Sequence, residues 1–131
     1  MAEYVQTRYP AEFAYGKYEF QAALGVLSEG LTSRLAPRAD AVVFPVDENV
    51  IIEAKAEYPH QALGQVMTYR LLFPLTPRFK NRADLPVTGL ILLVTHNSEV
   101  EMIAANYGIL VDVFLPPFLK EYLTEERRRA L

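Results

Sequence analysis

The segment from Arg38 to Tyr69 constrains the fold more than any other part of the chain. Two β-branched runs, Ala41-Val42-Val43-Phe44 and Val50-Ile51-Ile52, flank the polar turn Asp47-Glu48-Asn49. That pattern is a hairpin signal. A helical segment follows at once, led by Pro59, a residue suited to a helix's first turn. Asp40, Glu53 and Lys55 lie inside or at the edge of runs that otherwise look buried. Buried charges are costly unless they pair or bind a metal, so their relative placement decides what the hairpin is for.

Register sets that placement. If Asp47 and Glu48 form a two-residue turn, Phe44 pairs with Ile51, Val42 with Glu53, and Asp40 with Lys55. Cross-strand partners share a face and side chains alternate with period two, so Asp40, Glu53 and Lys55 converge within reach of one ion. A four-residue loop is expected to give the same pairing. A three-residue loop would turn Asp40 to the opposite face.

The remaining chain supplies partners for this hairpin. Apolar residues Phe20, Ala23, Leu24 and Leu27 recur at helical spacing from about Tyr15 to Glu29, after an irregular aromatic stretch over 1–14. Leu31 to Leu35 reads as a short extra strand. The helix after Pro59 runs from about His60 to Phe73, with Gln61, Gln65 and Tyr69 on one face and Leu63, Val66, Met67 and Leu71 giving apolar contacts. Residues 74–87 read as a long loop carrying Arg78, Lys80 and Arg82. Thr88 to Thr95 is a strand buried on both faces. Ser98 and Glu101 form a capping box that opens a helix to Tyr107, closed by Gly108. Ile109 to Leu115 is a further strand, and Phe118, Leu119, Tyr122 and Leu123 belong to a last amphipathic helix ending in Arg127 to Arg129. The order predicts an α/β fold, a mixed central sheet flanked by helices, in one domain spanning 1–131.

The element order and the charged trio resemble the PD-(D/E)XK nuclease superfamily. Asp40, followed after twelve residues by Glu53-Ala54-Lys55, is similar to the family's catalytic signature. Gln65-Val66-Met67-Thr68-Tyr69 resembles the Gln-x-x-x-Tyr motif of its exonuclease-like, Holliday-junction-resolvase-like branch. The resemblance implies a restriction-endonuclease-like three-layer fold and a Mg²⁺- or Mn²⁺-dependent deoxyribonuclease, endonuclease or exonuclease. It further implies that Asp40, Glu53 and the carbonyl of Ala54 hold the metal and that Lys55 acts on the attacking hydroxide or the phosphate. Glu19 on the first helix would bind a second metal or its water shell, with Glu12 and Glu29 as competitors. Gln65 would support the site or contact DNA, beside Tyr69. Pro37 stands three residues before Asp40, where the family places its proline adjacent to the aspartate.

The chemistry is consistent with the resemblance. Two carboxylates suffice for Mg²⁺, which keeps several waters and takes substrate phosphate as a ligand. The competing structural account is an ion pair between Asp40 and Lys55, which leaves Glu53 unexplained. Arg78, Lys80 and Arg82 could track a DNA backbone, with a solvated loop as the alternative. His60 and His96 are too far apart in sequence for a zinc site and read as surface residues.

Composition narrows the function. A formal net charge of -3 disfavours coating nucleic acid by charge alone. It points instead to a homodimer, a protein partner, or a narrow substrate such as ends, flaps or junctions. The absence of cysteine excludes disulfides and thiolate metal sites and fits a cytoplasmic location. No apolar run reaches the length of a membrane span. A catalytically inactive nuclease-fold protein that binds nucleic acid or assembles with proteins is the alternative function. A small protein-interaction domain with a structural ion cluster is the third.

Overall fold

The computed structural model describes residues 2–9, 18–19 and 38–114, and only the backbone at 2, 18, 19 and 38. In chain order its elements are α1 (Ala2–Arg8), β1 (Tyr18–Glu19), β2 (Arg38–Ala39), β3 (Ala41–Val43), β4 (Asn49–Lys55), α2 (His60–Leu72), β5 (Val87–Leu93), α3 (Ser98–Asn106) and β6 (Leu110–Val113). Two 3₁₀ helices, Phe73–Leu75 and Pro77–Arg82, lie between α2 and β5.

The central sheet has the order β3-β4-β5-β6. β3 is antiparallel to β4, and β4, β5 and β6 run parallel. β1 and β2 form a separate antiparallel pair, Glu19 opposite Arg38. The sheet alternates its loads between two faces, as the pleat requires. Val50, Ile52, Leu90 and Leu92 pack with Tyr4 and Val5 of α1 on one side. Ile51, Ile91 and Leu93 meet α2 and α3 on the other. Helices on both faces explain why residues 89–93 of β5 are continuously buried.

The rotation of α2 is set by one close approach. A Cβ on Gly89 would lie 2.3 Å from Val66 Cγ1, so the helix seats on β5 only because that position has no side chain. The buried stripe is then Ala62, Leu63, Val66 and Tyr69, continued by Phe73. Met67 and Leu71, expected as core contacts, are exposed on the far side, Leu71 by 74%. Helical period alone could not distinguish these two stripes on a helix apolar nearly all round.

Other expectations also need correction. Residues 2–8 are helical, where an irregular stretch was expected, because Tyr4 and Val5 have a sheet face to cover. Tyr18 and Glu19, expected within a helix over 15–29, are in β1; the rest of that segment lies outside the described residues. So do the expected strand over 31–35, the last helix, Arg127 to Arg129, and the candidates Glu12 and Glu29. The expected loop over 74–87 is largely 3₁₀ helix, buried by Phe79 stacking on Phe73 with ring centroids 4.4 Å apart. α3 is capped one residue earlier than expected: Asn97, not Ser98, accepts from the Val100 N–H at 3.0 Å. Gly108 follows its end at φ +66, the left-handed position that favours glycine. No helix among the described residues is long and apolar enough to cross a membrane.

Candidate active site

The hairpin register differs from expectation by two residues. Val42 pairs with Ile51, and Ala41 with Ile52, so the continued register sets Asp40 opposite Glu53 instead of Lys55. A shift of two preserves the face, and the expected convergence stands. The physical reason for the shift is Arg82. Its guanidinium donates from Nη2 to the carbonyls of Pro45 and Glu48, holding residues 45–48 as a four-residue loop. Its Nε donates to Asn49 Oδ1 at 2.6 Å, and the group lies 5.3 Å from the centre of the Phe44 ring.

Asp40 sits where the strand leaves one sheet for the other, between β2 and β3. Its Oδ2 accepts the Ala54 N–H at 2.9 Å. A residue's N–H and C=O leave a strand on the same side, so the Ala54 carbonyl opens toward the edge that Asp40 occupies. Glu53 is buried, with 3% of its surface exposed. Lys55 Nζ lies 3.9 Å from Glu53 Oε1, at the outer limit of an ion pair. Lys55 therefore associates with Glu53, and the expected Asp40–Lys55 pair is replaced.

Burial raises the Glu53 carboxyl from its ordinary range to about 7, reinforced by the Asp40 charge and a hydrogen bond with it and opposed by Lys55. Glu53 Oε2 is buried without a hydrogen-bond partner among the described residues. Gln65 Oε1, on α2, is in the same condition. Buried polar atoms are nearly always partnered, so an orphan on the carboxylate pair and a second on the helix packed against β4 call for a ligand or water. Tyr69, one turn beyond Gln65, is buried. Burial raises its hydroxyl to about 12, with the Glu53 and Asp40 charges adding to the effect. Its ring belongs to the core cluster with Ile51 and Phe73, while its electrostatic coupling to both carboxylates places it beside the site.

The remaining candidates divide. Glu19 is brought near Asp40 by backbone pairing, two residues along from its partner Arg38, but on a strand and not on the expected helix. Among the described residues no group of three or more His, Cys, Asp or Glu gathers to hold a metal; the fit rests on two carboxylates, one with an orphaned oxygen, and a carbonyl. Arg78 and Lys80 are exposed on the 3₁₀ segment. Arg82 is committed to the β3–β4 turn and Asn49, at the amino end of β4, roughly 13 Å of strand from Glu53 at ~3.3 Å per residue. His60 pairs with Glu99 at 3.3 Å and His96 with Glu101 at 3.1 Å, both at the surface.

Sequence reasoning missed a cleft of about 490 Å³ beyond Lys55. Lys55, Glu57, Tyr58 and Pro59 line one side, and Leu93, Val94, Thr95 and Asn97 the other. It opens at the carboxyl ends of parallel β4 and β5, the usual ligand position in α/β sheets. Tyr58 has φ +52, although a residue before proline is steered to extended backbone, so no sequence rule signals it.

Comparison of the chain with family models, with curated proteins and with solved structures gives no match.

Proposed function

We propose that this domain is a metal-dependent deoxyribonuclease of the PD-(D/E)XK type, with a restriction-endonuclease-like core. One observation carries the reading: Glu53, buried in the central sheet opposite Asp40, keeps an oxygen with no partner among the described residues. A carboxyl pair kept only for stability would leave no buried oxygen orphaned, because an unmade hydrogen bond on a buried polar atom costs free energy.

In this reading Asp40, Glu53 and the Ala54 carbonyl hold Mg²⁺ or Mn²⁺. The ion, when bound, polarises the phosphoryl group and lowers the pKa of a coordinated water. Glu53 must be ionised to serve, and the raised carboxyl makes its deprotonation sensitive to pH near neutrality. Lys55, 3.9 Å from Glu53, carries its ammonium to where charge develops on the transferring phosphate. Gln65 lends its buried amide oxygen to a water or ligand in the site. Tyr69 closes the apolar side and keeps the dielectric low.

The alternative is an inactive protein of the same fold that binds nucleic acid. It is favoured by the net charge of -3 and by the two-carboxylate donor set. Mn²⁺ calorimetry together with cleavage assays on both plasmid and single-stranded DNA separates the two. The nuclease binds Mn²⁺, nicks DNA, and loses both with Glu53→Ala. DNA binding without cleavage in either metal selects the alternative, and binding of neither metal nor DNA rejects both.

A further inference from the structure

The cleft beyond Lys55 has an exposed aromatic residue on its wall. Tyr58 is 70% exposed, and its backbone sits at φ +52. A bulky residue in that region is a genuine outlier, and such strain persists where the surroundings enforce it, often at ligand sites. The Tyr58 carbonyl enforces it here, accepting the Gln61 N–H at 3.0 Å, with Pro59 fixing the next φ. The result is a tyrosine whose backbone is fixed at the rim, three residues past the lysine assigned to the phosphate.

We propose that this cleft receives an unpaired nucleotide adjoining the scissile phosphate, its base stacked on Tyr58, so that the substrate is single-stranded DNA or a strand's unpaired end. The inference rests on the nuclease reading of Asp40, Glu53 and Lys55. A base inside a duplex already has both faces covered by its neighbours. Only an unpaired or terminal base offers a face to a side chain, and aromatic stacking is how proteins hold single strands without reading sequence. Charge agrees. The cleft carries one amine, Lys55, beside one carboxylate, Glu57, which suits one phosphate and a base but not a long phosphate track. The chain's net charge of -3 points the same way, since duplex tracking relies on many cationic contacts.

The test uses a short fluorescein-labelled single strand and the same sequence as duplex. Anisotropy in EDTA reads stacking without cleavage, and initial rates in Mn²⁺ read turnover. Tyr58→Ala is expected to weaken single-strand binding by about tenfold or more, raise KM by a similar factor, and leave kcat and duplex cleavage unchanged. Tyr58→Phe retains binding. Tyr58→Gly relaxes the backbone and keeps the melting temperature, yet binds as weakly as Tyr58→Ala, a combination that a merely structural tyrosine would not give. Cleavage of single strands with KM indifferent to Tyr58→Ala overturns the stacking subsite and leaves the nuclease reading intact. Tyr58-dependent binding without any cleavage keeps the subsite and removes the nuclease. A wild type that neither binds nor cleaves the single strand overturns both.

Discussion

The two ends of β4 solve the same problem in opposite ways. At the amino end Asn49 is fully buried, and its N–H and both side-chain polar atoms have assigned partners: the N–H goes to the Pro86 carbonyl, Oδ1 receives Arg82 Nε, and Nδ2 donates to the Arg82 carbonyl. At the carboxyl end Glu53 is equally buried, but one oxygen is unpartnered among the described residues and its carboxyl is raised to about 7. One strand thus carries a satisfied polar anchor and an unsatisfied one. Satisfied networks rigidify and specify a fold. Unsatisfied groups mark where something outside the protein completes the set.

Substitutions at the two ends should therefore separate activity from stability. Largest is the effect on turnover at the carboxyl end: Glu53→Ala or Lys55→Ala is expected to reduce nicking of single-stranded and plasmid DNA by ~10²–10³-fold or more, with far-ultraviolet circular dichroism unchanged. Residual nicking within a few-fold of wild type would break the assignment.

Next is the pH response of the metal-free protein. Glu53 holds its proton in the folded state to about 7, while the unfolded chain releases it near 4.5. The unfolded state binds fewer protons between those values, so stability falls as pH rises through that window, by roughly 3 kcal/mol in all. Urea titrations of wild type against Glu53→Gln should show the slope in wild type only. Mn²⁺ should reverse it, since a bound cation favours the ionised carboxylate.

At the amino end Arg82→Ala should cost about 2–3 kcal/mol, because Asn49 and two turn carbonyls lose a charged donor. Rate per folded molecule should hardly change, which a denaturant-corrected nicking assay checks. If Arg82→Ala instead weakened DNA binding selectively, the division between the ends would be wrong. Gly89→Ala should cost ~1–3 kcal/mol by forcing Val66 away from β5. Asn97→Ala, the loss of one helix cap, should cost about 1 kcal/mol, and both are read by thermal melts.

The part of the site legible in the sequence was its parity. Any even loop brings Asp40 and Glu53 to one face, so the convergence survived a register error of two residues. The pairing itself was not legible, because the residue that sets loop length, Arg82, is more than thirty positions away and looked like a member of a basic cluster. The boundaries of α2, β5 and α3 followed from proline, the apolar run and glycine. The rotation of α2 did not, because Gly89 has no side chain with which to announce a notch. The helix at residues 2–8 was hidden for a related reason: among its described side chains only Tyr4 and Val5 are buried, and two residues make no period.

The position of Asp40 at the junction of β2 and β3 has a mechanical consequence. Glu53 is held in the sheet by its pairing with Ile91 of β5, whereas its opposite acid rides on a joint shared with the small β1–β2 ribbon. Tilting that ribbon changes the gap between the carboxylates while the sheet stays still. In the proposed metal site, then, one jaw is fixed in the sheet and the other is set on the ribbon's joint, and whatever grasps the ribbon has a lever on the grip.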